Sequence, residues 1–134
     1  MSISSSKKKA WDAFSRYIRL RDCLITTGTK EVGKCYTCGK TYPFNKLQAG
    51  HFLAGRGASI LFVEDNCHAQ CMPCNVYRHG NIEEYYPRMI RDYGQKRVDE
   101  LRLLKNQTKR WTISELTSIE DEYKELYRET YDNN

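Results

Sequence analysis

Four cysteines arrive as two C-x-x-C pairs, Cys35-Tyr-Thr-Cys38 and Cys71-Met-Pro-Cys74, with 32 residues between them. Each pair suits a tight turn that aims two thiolates at one point, and two such turns complete a tetrahedral site for structural Zn²⁺. A dithiol redox centre would need only one pair beside a βαβ pattern, and no such pattern is visible. Disulfides belong to oxidising compartments, whereas the segment Met1 to Lys9 lacks the apolar stretch of a secretory signal. Cys23 and Cys67, outside the pairs, read as reduced thiols.

Between and beside the pairs lie other groups able to do chemistry: His51 in Ala49-Gly50-His51-Phe52, then Asn66, His68, and Asn75 directly after Cys74. A strand-borne His facing a helix-borne Asn on a zinc staple has the layout of a ββα-metal nuclease finger. The imidazole would act as a general base on water. A hard cation, Mg²⁺ or Mn²⁺, held by the Asn side-chain oxygen would neutralise charge developing on the phosphodiester. Taken alone, the two residues read first as a hydrogen-bonded core histidine and a helix-capping asparagine.

Positioning these groups requires a short β-structure, because Gly39, Pro43, Gly50, Gly55 and Gly57 rule out a long helix through the centre. Strands are expected around Gln48–Leu53 and Ile60–Val63, joined by the loop Ala54 to Ala58. A helix is expected to start near Pro73 with Asn75 in its first turn. Ahead of this finger, Trp11, Phe14, Ile18 and Leu20 fall near helical spacing, predicting a helix over 10–24 behind a flexible basic arm, residues 1–9. The loop markers Thr26 to Thr29 and Gly33 follow it. After Gly80 the chain reads as helices to about residue 131. Asn81 with Glu84 suggests a first capping box, Gly94 a break after Tyr93, and Thr112 with Glu115 a second box opening the last helix. At 134 residues, 40% hydrophobic and 29% charged, the chain is read as one α+β domain. Its zinc-stapled ββα finger spans 35–81, its helical C-terminal part 82–131, and the staple offsets a modest core. No run of apolar residues is long enough for a membrane span, so the expected setting is cytoplasmic, without a membrane partner.

The net charge of +5 is unevenly spread. Residues 1–21 carry six basic side chains against Asp12, and residues 115–134 carry seven acids against Lys124 and Arg128. A basic front suggests a polyanion partner. Lys7, Lys8, Lys9, Arg16 and Arg19, with Arg56 and Arg78 nearer the finger, are the expected phosphate contacts; the bland alternative is a solvated helix face. The tyrosine-rich C-terminal part reads as packing rather than base stacking.

The set Cys35-Tyr-Thr-Cys38-Gly39, Ala49-Gly50-His51-Phe52, Asn66-Cys-His68-Ala-Gln70-Cys71-x-x-Cys74-Asn75 and Gly80-Asn81 resembles the NinG/Rap recombination proteins of lambdoid bacteriophages. Ile18-Arg-Leu-Arg-Asp22 and Arg110-Trp-Thr-Ile113 are also similar, so the resemblance covers roughly residues 10 to 128. More distantly, the Cys-x-x-Cys-Asn ending resembles the zinc-stapled endonuclease VII group of HNH nucleases. The resemblance implies a metal-dependent endonuclease directed at branched recombination intermediates, Holliday junctions and D-loops, in the bacterial host. Branched double-stranded DNA and host or phage recombination proteins are the implied partners, and a homodimer is left open. It assigns His51 as general base, Asn75 as ligand of the catalytic cation and Asn66 as buttress of the loop between strand and helix. One departure stands out: the residue before the base is usually an acidic or histidine ligand, and here it is Gly50. His68, with Asp65 behind it, could complete the site or could be structural; alternatively His51 is itself the ligand. His79 reads as incidental or as a phosphate contact. With the ligand at position 50 missing, the alternative function is a zinc-stapled DNA-binding accessory without catalysis.

Overall fold

The computed structural model describes residues 2–54 and 59–134. Arg56 and most of the loop expected between two strands therefore lie outside the described residues. The elements run α1 (Ile3–Thr27), β1 (Val32–Lys34), β2 (Thr41–Pro43), β3 (Leu47–His51), β4 (Cys67–Cys71), α2 (Ile82–Lys105) and α3 (Ile113–Asp132). A π-helical turn, Pro73–Tyr77, follows β4. Architecture is α+β, with two small antiparallel ribbons, β1–β2 and β3–β4.

The segment expected as a flexible arm is helix. Ser2 caps α1 by accepting the Ser5 N–H at 3.0 Å, and Ser6 and Ala10 are already buried. Without a Gly or Pro to stop it, a capped Ser/Lys segment simply continues the amphipathic pattern that follows. At the far end Gly28, at φ 74°, closes the helix through its N–H to the Leu24 carbonyl.

The second strand of the finger is Cys67–Cys71, and Ile60–Val63 is a turn. The apolar, β-branched composition of the latter suggested a strand, but Ile60 instead packs with Phe52, Tyr85, Met89, Val98 and Leu101. Cys67–Cys71 has little strand propensity of its own. It is buried at all five positions and pairs with β3 in the register Leu47↔Cys71, Gly50↔His68 and His51↔Cys67. Pairing and burial override composition here.

The β3–β4 ribbon is covered on two faces. On one, Ala49 and Cys67 meet Ala13, Phe14 and Ile18 of α1, with Tyr123 of α3 closing the cluster. On the other, His68 and Gly50 meet Tyr85 of α2. Helices α1 and α3 lie side by side: Phe14 sets its ring against Tyr123 at 4.9 Å, Arg16 covers Tyr127 at 4.2 Å, and Lys30 reaches the Tyr131 carbonyl. The Phe14 and Arg16 contacts ascend together along both helices, and Lys30, just beyond α1, continues the order, so the two run in the same direction.

Arg21 and Asp22 fasten α1 to β4. Arg21 donates to Asp22, to the Glu64 carbonyl at 3.1 Å and to the Cys67 carbonyl at 2.7 Å, while Asp22 accepts the Ala69 N–H at 2.7 Å. Every charge and edge group at this buried junction is thereby hydrogen-bonded.

In α2 the expected break at Gly94 is present, at φ 85° and ψ 161°. The expected Asn81–Glu84 capping box is not. Asn81 adopts a left-handed conformation, φ 51°, and its side-chain amide donates to the Cys74 sulfur at 3.5 Å. The side chain is drawn toward the sulfur, and its oxygen makes no cap hydrogen bond. The Thr112–Glu115 box at the start of α3 is fully formed. Among the described residues no helix is long and apolar enough to cross a membrane.

Replacing Arg21 with Met should leave the Asp22 carboxylate buried without its counter-charge. The expected loss is about 3–5 kcal/mol, read as a lowered urea midpoint of the zinc-loaded protein.

Candidate functional site

Cys35 and Cys38 sit on the turn between β1 and β2. That turn is closed by the Cys35 N–H to the Lys40 carbonyl and the Gly39 N–H to the Cys35 carbonyl, each at 2.9 Å. Cys71 ends β4 and Cys74 lies in the following turn. The four sulfurs all fall within 4.8 Å of one another and form no disulfide. Cys38 and Cys71 sulfurs are 3.8 Å apart, the edge length of a tetrahedron built on Zn–S bonds of about 2.3 Å. The cluster can therefore hold a metal ion and fits a structural zinc. Burial resists ionisation of Cys35, but hydrogen bonds from the Thr37 hydroxyl and from backbone N–H groups outweigh it and lower that thiol to about 6. Burial and the adjoining thiolate push Cys38 up to about 12. A shared cation would hold the four sulfurs as thiolates, which is the form that binds zinc. Burial raises both remaining thiols, Cys23 to about 11, and neither belongs to the cluster.

Beside the cluster opens a cleft of about 1030 Å³, lined by Lys7, Lys8 and Trp11 of α1, by His51, and by Asn75 and His79. The His51 ring stacks on Trp11 with 4.7 Å between centroids. Its Nε2 lies 3.3 Å from the Leu61 carbonyl. A carbonyl only accepts, so Nε2 carries the proton and the basic lone pair is on Nδ1. Asn75 is oriented by donating from Nδ2 to Gln48 Oε1 at 2.7 Å, which leaves its Oδ1 as an available oxygen donor. His79, read from the sequence as incidental or as a phosphate contact, lines the same cleft from the turn before Gly80, with φ 51°. Only the four-residue step from Asn75 to His79 hinted at this.

His68 lies elsewhere. It is 4% exposed, stacked on Tyr36, and on the α2 face of the ribbon rather than among the cleft residues. Tyr85 donates its hydroxyl proton to the Gly50 carbonyl at 2.8 Å, so His68 Nδ1–H donates to the Tyr85 oxygen at 3.0 Å. Nε2 then accepts from the Tyr93 hydroxyl at 2.7 Å. Both ring nitrogens are occupied, and burial holds the ring neutral, with its pKa down at about 3. Of the two readings left open for His68, ligand or structural, these contacts match the structural one: the ring sits in the core and braces β3 beside His51. Asp65 likewise turns away, paired with Arg97 at 2.9 Å. Asn66 clasps the segment after β3, accepting the Leu53 N–H at 2.9 Å and donating to the Leu53 carbonyl at 2.8 Å.

The basic residues divide. Lys7 and Lys8 border the cleft, Lys8 also pairing with Asp12 at 2.9 Å. Lys9 and Arg16 line a different groove, shared with Glu120, Lys124, Tyr127 and Arg128 of α3. Arg19 lies over the Phe44 ring and donates to the Ser15 carbonyl. Arg78 is exposed in the turn next to His79.

Cys71→Ser should drop zinc from near one equivalent per chain and lower the melting temperature, because the metal's binding energy is part of the folding energy. Cys67→Ala should keep the zinc and cost about 1 kcal/mol of packing. Metal analysis with thermal melts reads both.

The sequence pattern of the family described as "Bacteriophage Lambda NinG protein" matches residues 2–132. The chain is 34% identical over 123 residues to "Protein ninG" of Escherichia phage lambda, covering 91% of this chain and 55% of that protein. It is 32% identical over 126 residues to "Protein ninG" of Salmonella phage P22, covering 93% and 57%. The chain thus spans a little over half the length of these curated relatives. No solved structure matches it. With the match running through all four cysteines, His51 and Asn75, the chain belongs to the NinG family.

Proposed function

We propose that this protein is a metal-dependent endonuclease that cuts branched double-stranded DNA, such as Holliday junctions and D-loops, during phage recombination in the bacterial cytoplasm. The observation that carries the reading is the shared cleft: a histidine with its lone pair on Nδ1, an oriented amide oxygen and two lysines converge beside a four-thiol staple. His51 Nδ1 takes a proton from water as the water oxygen bonds to phosphorus and the bond to the departing sugar oxygen breaks. The Leu61 carbonyl and the Trp11 face hold the ring in the orientation this transfer needs. Asn75 Oδ1 would hold Mg²⁺ or Mn²⁺, which when bound neutralises charge on the phosphate and leaving oxygens. Lys7 and Lys8 draw the phosphate backbone across the mouth of the cleft. Arg78 and the exposed His79 extend that surface on the opposite wall. Lys9, Arg16 and Arg19, with partners on α3 or the ribbon side, contribute less to it.

Purified protein incubated with a labelled four-way junction should nick it with Mg²⁺ or Mn²⁺ and not with EDTA. His51→Ala should slow single-turnover cleavage by about 10²–10⁴-fold while keeping zinc content and junction binding. Asn75→Ala should also cut slowly but regain rate at higher metal concentration. Cleavage by His51→Ala at the wild-type rate would remove the cleft as active site. The protein would then be a DNA-binding accessory.

Replacing Lys7 and Lys8 with Gln should weaken binding to every DNA tested and flatten the dependence of log affinity on log salt by about two contacts' worth. Replacing Lys9 and Arg16 should change the slope less.

A further inference from the structure

Gln70 is fully buried in the middle of β4. Its Nε2 donates to the Thr37 hydroxyl at 3.0 Å and to the Gly80 carbonyl at 2.9 Å. Since a carbonyl can only accept, these contacts fix which end of the amide is nitrogen. Oε1 is left enclosed, with no hydrogen-bond partner among the described residues. A buried acceptor stranded in this way is destabilising, and such an exception calls for a physical reason.

The reason lies in where it points. A Cβ placed on Gly50 would stand 1.7 Å from Gln70 Oε1 and 3.0 Å from Asn75 Oδ1. Two amide oxygens, each held by hydrogen bonds on its own nitrogen, therefore converge on the spot where a side chain before His51 would begin. Neither can donate to the other. Two acceptors brought together without a proton between them are complementary to a cation, and amide carbonyls are ligands that hard divalent ions accept. Position 50 is glycine because Gln70 already occupies the space.

We infer that Gln70 Oε1 is a second protein ligand of the divalent cation, supplying beside Asn75 Oδ1 the oxygen that no side chain at position 50 provides. This rests on the proposed cation-dependent reading of the cleft. Because both donors are neutral, the site binds the ion more weakly than a carboxylate site would, and a carboxylate at position 70 strengthens it.

The test uses the zinc-loaded full chain and Mn²⁺ alone. In nitrogen-15 spectra, substoichiometric Mn²⁺ should broaden the side-chain amide signals of Gln70 and Asn75 together, ahead of those of Gln48 and Gln95. By paramagnetic resonance of free Mn²⁺, Gln70→Met and Asn75→Ala should each weaken binding about tenfold or more, and Gln70→Glu should tighten it. Zinc content and melting temperature show which variants are folded, and if Gln70→Met is not, the near-isosteric Gln70→Glu decides: failure to tighten Mn²⁺ binding overturns the inference. If a folded Gln70→Met variant binds Mn²⁺ as tightly as the wild type, the ion is held without Gln70 and the inference fails, leaving the nuclease reading intact. If neither signal responds at millimolar Mn²⁺, no ion binds between the two oxygens and the inference fails. Junction cleavage by the wild type, assayed separately, then decides whether the nuclease reading falls with it.

Discussion

Cys71 ends the buried strand β4, and three residues later Cys74 stands directly before Asn75. The other half of the thiol cluster comes from the β1–β2 turn. A single ion bound by the four sulfurs would therefore set the spacing of three things: the first hairpin, the end of the central ribbon and the turn that carries Asn75. The neighbouring polar contacts are arranged around it, with the Thr37 hydroxyl and the Asn81 amide both reaching sulfur at 3.5 Å. Remove the staple and the turn from Pro73 to Tyr77, largely exposed apart from Cys74, keeps little to hold it against β3. In a chain of this size such a tie takes the place of the larger apolar core that would otherwise be needed.

The long helix α1 brings the opposite wall of the cleft. Its register on the ribbon is set twice, by Phe14 and Ile18 in the apolar cluster and by Arg21 and Asp22 on the β4 backbone. Trp11 follows one turn earlier and lands on His51. The basic charge of the front segment is sorted by the same geometry. Side chains on one side of α1 open onto the cleft, and those on another lie against the acidic helix α3. A net charge counted along the chain merges these two populations, which have different electrostatic surroundings.

How much of this was legible in the sequence follows from the range of each interaction. The cysteine pairs, the Thr112–Glu115 box, the Gly94 break and the helical stripe of α1 and α3 are local signals, and each appears where spacing placed it. Cys67–Cys71 was not readable as a strand, because its identity comes from pairing and burial rather than from its residues. Asn81 was misread for a related reason: a sulfur seven residues back in the chain lies close in space and takes its amide. The role of His68 depended on three tyrosines from two other parts of the chain, Tyr36, Tyr85 and Tyr93, and no spacing rule connects them. Trp11 and His79 joined the cleft in the same way, by tertiary placement. Gly50 was recognised as a departure, but the side chain filling its space comes from the neighbouring strand.

That shared space has a bearing on how such a chain can change over generations. Any side chain entering at position 50 collides with Gln70, because its first carbon would stand 1.7 Å from Oε1. If Gln70 is lost first, the Thr37 hydroxyl and the Gly80 carbonyl lose their common donor inside the fold. A residue entering at 50 must displace the Gln70 amide, and displacing it costs those two hydrogen bonds, so changes at the two positions are coupled rather than additive. That coupling lies in the packing of the fold, apart from anything the site does.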